Sequence, residues 1–368
     1  MGACSDAVGP GDESIEQLLF LSTREGGSPA LYRMNADGTG VEKLMLEAFP
    51  SSSQRLSLSH DGTRIAFSAF ALSGIWVMDI DGSNLRQLTN RPGSSGEGGN
   101  HSPRWSRDGR QIAFLSNREG REIGFTRGVY DVYVMGADGS DPHNVSHALG
   151  YGLGFNVEVI GWSADGRVVF QSSGTGVDFL KRHAYIVNWN GTGLEPLFVR
   201  PTDNSPFWSP DGSKVVFISD RDGRRRLYIR NADGSGERPL TATGPWDDHL
   251  PAWLPAFRSG DIDYDPWSPD GSRIAFTRWG DEYSDKEVLY VINADGSGLT
   301  RLSDNASEFN GWSPSGQRIA FTKRAWTIPS PSGIPDVFVV NADGTGLVNV
   351  TNDAASDYHA MWVPRRRP

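Results

Sequence analysis

The chain has 368 residues, including 44 Gly, 22 Pro and 12 Trp, and its 35 Lys and Arg against 45 Asp and Glu leave a formal net charge of −10. That balance excludes a nucleic-acid backbone as partner, because phosphate binding requires a net basic face. No apolar run approaches the roughly 20 residues that carry a helix across a bilayer, and the many turn formers between short apolar runs point to an all-β fold.

The chain opens on a polar stretch, residues 1–17, that holds the single cysteine, Cys4, within "MGACSD". One cysteine forms no internal disulfide. A small-residue pair before a cysteine matches the end of a bacterial lipoprotein signal, which makes Cys4 the lipidated residue and places the protein in the periplasm or outside the cell, held to a membrane only by that lipid. Residues 5–14 are then a flexible tether. The apolar part of such a signal is not in the sequence given, so a chance match, with a cytoplasmic location, is the alternative. At the other end, residues 365–368 form a basic tail with Arg365, Arg366 and Arg367. That triplet and Arg224, Arg225 and Arg226 both read as solvated surface.

Between these ends, residues 18–364 are built from a repeat. One element, W-S-x-D-G-x-x-[IV]-[AV]-F, stands at 105–114 (WSRDGRQIAF), 208–217 (WSPDGSKVVF) and 267–276 (WSPDGSRIAF), with weaker copies at 58–67 (LSHDGTRIAF), 162–170 (WSADGRVVF) and 312–321 (WSPSGQRIAF). A second element closes an alternating apolar run with N-A-D-G-[ST]-G at 31–40, 132–141, 185–193, 227–236, 289–298 and 337–346, and as DIDGSN at 79–84. The first element occurs six times and the second seven, and the Asp-Gly or Asn-Gly hairpins of the second are spaced by about 43 to 62 residues, enough for four short strands per unit. The mismatch resolves at the ends: LLFLST at 18–23 lacks an inner strand, and SDYHAMWVP at 356–364 supplies one that carries a Trp. Pairing them predicts a single seven-bladed β-propeller of four-stranded antiparallel blades, closed by the C-terminal strand.

Within each blade, strand a ends at the Trp, S-P-D-G turns it into strand b, strand c alternates, and N-A-D-G-S-G turns it into strand d. The Trp is expected to pack between adjacent blades. DIDGSN has the look of a calcium loop but lacks the later acidic ligand, so a hairpin is expected there too.

The W-S-P-D-G and N-A-D-G-S-G pair, recurring in order over residues 18–364, resembles the repeat of the TolB-type propellers, also called PD40 or WD40-like repeats. There is no room here for a separate N-terminal α/β domain, and seven units are countable where TolB has six. The resemblance suggests a bacterial cell-envelope or exterior protein, and the aromatics mixed with acids in its loops suit a polar ligand, a polypeptide or a glycan. Related propellers also include peptidase gating domains, which need a hydrolase domain absent from this sequence. They include as well the oligogalacturonate lyases, whose channel region holds a His-rich metal site.

Strand direction puts the short a-to-b and c-to-d turns on one face and the b-to-c and d-to-a connections, which read as different in every blade, on the other. The second face is the expected binding face. Its candidate residues are Trp246, Asp247, Asp248, His249 and Tyr264 between blades five and six, Trp279 and Tyr283 in blade six, and Trp326 in blade seven. Four places before the Trp of strand a, at the channel mouth, stand His101, Asn204, Asp263, Glu308 and Tyr358, with Asn310 and His359 close by. His249 holds the same offset if Trp253 rather than Trp267 starts its blade. Such a ring suits a cation such as Ca²⁺ or Mn²⁺ and equally suits ordered water; the resemblance to the lyases implies His101, His249 and His359 as the ligands of a metal there. No phosphate loop, H-E-x-x-H, C-x-x-C or nucleophile elbow is present. The leading expectation is a non-catalytic binding or scaffold propeller that requires no cofactor. The alternative is a metal-dependent carbohydrate-active lyase or hydrolase with its site at the channel mouth.

Overall fold

The computed structural model describes residues 15–26, 29–45, 56–68, 74–90, 99–119, 122–123, 126–127, 130–147, 157–173, 182–200, 202–250, 264–280, 287–304, 306–324 and 334–364. Cys4, Trp253, Asp263, Tyr283, Trp326 and the Arg365–Arg367 tail lie outside them. Seven four-stranded antiparallel sheets form the ring, and no helix among the described residues is long and apolar enough to cross a membrane.

Blade one takes its inner strand from the C-terminus: Asp357–Trp362 pairs with Gln17–Ser22, followed outward by Ala30–Asn35 and Glu42–Met45. The inner strands of the other blades are Leu56–Leu58, Asn100–Trp105, Val157–Trp162, Asp203–Trp208, Asp247–His249 and Ala306–Trp312. Blade three carries an extra ribbon, Glu122–Ile123 with Thr126–Arg127, on its b-to-c connection.

Packing explains why the repeat is so regular. Each strand b buries one Phe, namely Phe20, Phe67, Phe114, Phe170, Phe217, Phe276 and Phe321, and each such side chain is worth roughly 1.5–3 kcal/mol of apolar burial. The Trp at the end of strand a bridges to the preceding blade. The indole N–H groups of Trp162, Trp267, Trp312 and Trp362 donate to the carbonyls of Arg104, Phe207, Pro266 and Gly311 at 2.8–3.1 Å. Arginines at the start of strand b then cover the next blade's Trp, Arg64 over Trp105, Arg273 over Trp312 and Arg318 over Trp362. The tryptophans are therefore core, as expected.

The c-to-d turns close alike. In DIDGSN, Asp81 accepts from the backbone N–H and the hydroxyl of Ser83 at 2.9 and 2.6 Å, as Asp37, Asp138, Asp233, Asp295 and Asp343 do in theirs. Asn84 adopts φ +54°, where most other blades place Gly, a conformation Asn tolerates. The segment is a hairpin.

One departure from the repeat is repaired from across the seam. Blade seven has Ser315 where five a-to-b turns have Asp. Glu16, just before the first strand, reaches over: its carboxylate accepts from Ser315 N at 2.9 Å and pairs with Arg318 at 2.6 Å. Closure thus rests on the C-terminal strand and on this N-terminal carboxylate together.

The basic triplet in blade five is not the solvated surface expected of it. Arg226 is buried, donates twice to the carbonyl of Thr241 and pairs with Asp222 at 2.7 Å. Its triplet neighbour Arg224, paired with Asp247, is by contrast largely exposed.

Candidate functional site: the channel mouth

Strand a is innermost, so its first residues surround the channel on the face of the b-to-c and d-to-a connections. Register fixes which residues share a level. His101 pairs with Leu115, Glu158 with Gln171, Asn204 with Ile218, His249 with Thr277, Glu308 with Thr322 and Tyr358 with Leu21. Each of these strand-b partners directly follows the buried Phe of its blade, so the six residues are equivalent. The position in blade two falls outside the described residues.

Blade six shows how His249 reaches this ring. Trp267 is the blade's bridging Trp, yet His249 stands eighteen places before it instead of four. The inner edge of the blade is split: Asp247–His249 pairs with one end of strand b and Trp267 bridges to Ile274 near the other. His249 thus belongs to the ring by its own pairing, without Trp253 taking the place of Trp267. Glu158, four places before Trp162, was missed by sequence reasoning although the same spacing marks it. It accepts from Gln171 Nε2 at 2.6 Å.

Inner strands carry bulges just after this level. In blades three, five and one the residue that follows has a left-handed backbone: Ser102 at φ +59°, Ser205 at +52° and His359 at +55°. Bulges of this kind re-aim neighbouring side chains. The two serines turn back on the ring residue, with Ser102 Oγ 2.6 Å from His101 Nδ1 and Ser205 Oγ 3.1 Å from Asn204 Oδ1. The Ser–His contact is therefore a local brace that recurs with Asn, not a nucleophile and its base. His101 also meets Tyr130 edge-on at 4.4 Å.

His359 differs. Its Nδ1 lies 2.7 Å from Glu308 Oε1 across the seam between blades one and seven. Tyr358 stands edge-on to it at 4.9 Å, and burial, with the charge of Glu308, pushes the Tyr358 hydroxyl up to about 12. Burial, helped by the nearby charge of Arg225, pulls His249 down to about 4, so its imidazole is neutral at neutral pH.

Several expected site residues instead serve the scaffold. Asp248 is fully buried and accepts from Arg278 Nε at 2.6 Å and Nη2 at 3.3 Å. Trp246 is half-buried and stacked 4.5 Å from that guanidinium. Tyr264 donates to the carbonyl of Ala360 at 2.8 Å and accepts from Asn310, which in turn accepts from Thr322. This closed network lies inside the wall. Asp247 accepts from Arg225 N and Arg224 Nη1. Trp279, directly opposite Asp247 in the sheet, is 55% exposed.

The b-to-c connections do not all differ. Blades one, three and five share S-x-R-[DE]-G at 22–26, 116–120 and 219–223. Arg24, Arg118 and Arg221 each fold back on their own Ser and reach Asp357, Asn100 and Asp203 at the start of strand a. Each also lies over the buried Phe and the strand-c Tyr of its blade. Arg278 with Asp248 is blade six's version of this clasp. The expectation of a uniformly variable face is corrected accordingly.

Among the described residues no three His, Cys, Asp or Glu side chains converge as metal ligands would.

No protein-family model matches the chain. It is 30% identical over 240 residues to the protein Atu1656 of Agrobacterium fabrum, covering 60% of this chain and 68% of that one. It is also 34% identical over 101 residues to the Tol-Pal system protein TolB of Anaeromyxobacter dehalogenans, 27% of this chain and 19% of TolB. The crystal structure of TolB from Acinetobacter baumannii superposes over 96% of this chain and 68% of that chain, with TM-score 0.54 at 16% identity. The chain belongs to the TolB-like β-propeller family. The oligogalacturonate lyase of Vibrio parahaemolyticus shares the fold as well, with TM-score 0.62 at 12% identity over 88% of this chain and 85% of that one. A likeness at this identity speaks to architecture only. Within the TolB-like frame, the match to this TolB spans only 19% of that protein's length.

Proposed function

We propose that the protein is a non-catalytic binding or scaffold propeller of the bacterial cell envelope or exterior, and that it engages a polypeptide or glycan through the channel mouth and the loops around it. Lipidation at Cys4 is part of this proposal, as the means of holding the ring to a membrane. One observation carries the reading. Six inner strands present polar or aromatic side chains at a single level (His101, Glu158, Asn204, His249, Glu308 and Tyr358), differing in chemistry around the ring, whereas the opposite face repeats one turn. A rigid scaffold with one diversified end is the arrangement of a recognition surface.

The test is capture from a bacterial envelope fraction by immobilised protein. The wild type and a turn-face variant, Leu299→Ser, are expected to retain the same partner, and the mouth variant Trp279→Ala with Asn204→Ala is expected to lose it. Undiminished capture by the mouth variant would refute the reading. Cleavage of a uronate polymer in the presence of Mn²⁺ or Ca²⁺, lost in both His101→Ala and His249→Ala, would replace it by the enzymatic alternative.

A further inference from the structure

Acids at the start of the inner strands meet three kinds of partner: an arginine, the Gln171 amide at Glu158, and an imidazole. Asp203, Asp248 and Asp357 are buried, and each is paired with an arginine of its own blade, Arg221, Arg278 and Arg24. Their charge is spent on the fold. Glu308, at ring level, is different: its side chain stays 14% exposed, and among the described residues its one ion-pair partner is an imidazole, His359.

The surroundings of Glu308 are those of a cation site. Ring positions on either side of it hold His249 and Tyr358, a neutral imidazole and a phenol that stays protonated. Tyr358 stands edge-on to His359, the imidazole bonded to the carboxylate. None of the six described ring residues is Lys or Arg, so the ring itself supplies no guanidinium or ammonium to the carboxylate.

His359 fixes the carboxylate. It is buried, and it occupies at φ +55° the bulge position where blades three and five have the smaller Ser102 and Ser205. A bulky residue in this conformation is uncommon, and such strain persists where the surroundings hold it. One holding contact is the bond to Glu308, which ties the closing strand to blade seven.

We infer that Glu308 anchors an ammonium-binding subsite at the seam of the ring, with His359 as its positioning residue, and that it receives a lysine side chain or a free N-terminus of a polypeptide. This rests on the proposed binding role and selects the polypeptide among its ligands.

Calorimetric titration with three peptides tests it: acetyl-Gly-Lys-Gly-amide, Gly-Gly-Gly-amide with a free N-terminus, and uncharged acetyl-Gly-norleucine-Gly-amide. At least one charged peptide is expected to bind tenfold or more tighter than the uncharged one, and which of them does so names the source of the ammonium. Glu308→Gln is expected to weaken that binding by about 10- to 100-fold, the range of a charge-assisted hydrogen bond. His359→Asn keeps a donor and tolerates the left-handed backbone, so it should stay within about threefold of wild type, while His359→Leu loses about tenfold. A purely structural His359 would lower the melting temperature in both variants without this split. Equal binding of the uncharged peptide, or unchanged binding by a Glu308→Gln protein that melts like wild type, would overturn the inference. A protein that captures its partner through Trp279 yet ignores both charged peptides overturns this inference alone. One that binds a charged peptide but captures nothing through the mouth overturns the broader reading and leaves the subsite standing.

Discussion

On the turn face, hairpin after hairpin closes with the same two hydrogen bonds from a Ser or Thr to an Asp or Asn, whether the blade is the first or the seventh. At the mouth, six equivalent positions hold two His, two Glu, an Asn and a Tyr, and their braces are a serine hydroxyl, a glutamine amide and, at Glu308, an imidazole from the next blade. The difference separates what ring geometry demands from what it leaves free. Inter-blade packing is the same problem solved seven times, so its residues recur; nothing in the packing dictates the residue four places before the Trp.

The largest effect is expected at a residue that sits at the mouth but belongs to the scaffold. Asp248→Ala strands the Arg278 guanidinium in a dry wall and is expected to cost about 3–5 kcal/mol, the usual result of removing one partner of a buried pair. Urea unfolding reads this directly, and a change under 1 kcal/mol would return Asp248 to the ligand-facing group.

His249 comes next. Its folded pKa of about 4 lies below the unfolded value near 6.5, so between these two the unfolded chain binds more protons. The stability it contributes is complete above pH 6.5 and is lost as pH falls towards 4, by about 3 kcal/mol at most. Melting curves at pH 7, 5.5 and 4 should flatten in His249→Asn, and an unchanged acid dependence would show that the imidazole is not held neutral.

Two neighbours in the basic triplet give a smaller contrast. Arg226→Ala removes the bonds to Thr241 and Asp222 and is expected to cost about 2 kcal/mol, whereas exposed Arg224→Ala changes stability by about 0.5 kcal/mol or less. Equal losses would mean that the triplet acts as one unit. Trp279→Ala closes the series: exposed as it is, it should alter the unfolding free energy by no more than about 0.5 kcal/mol while abolishing partner capture.

How far the sequence carries the reader follows the same divide. Strand order, seven blades, closure through residues 356–364, the bridging Trp and the hairpin at 79–84 were all legible, because each is written several times or completes a count. The S-x-R-[DE]-G clasp, written three times, was overlooked because it sits where loops were expected to vary. Blade six misled for a physical reason: an insertion within its inner strand separates His249 from Trp267, so a fixed offset fails where backbone pairing succeeds. The burial of Asn310 was not legible because it follows a bulge that no residue pattern announced, nor was that of Asp248 and Tyr264, which stand on either side of the insertion in blade six. Nor was the Glu308–His359 bond, whose partners lie 51 residues apart and meet only when the ring closes.

The central claim is that recognition belongs to the mouth and not to the repeated face. Placing a photo-activatable phenylalanine derivative at Trp279, and in a separate protein at Leu299 on the turn face, and irradiating cells that produce each, tests it directly. Adducts are predicted from position 279 and not from 299; adducts from 299 with none from 279 would contradict the account.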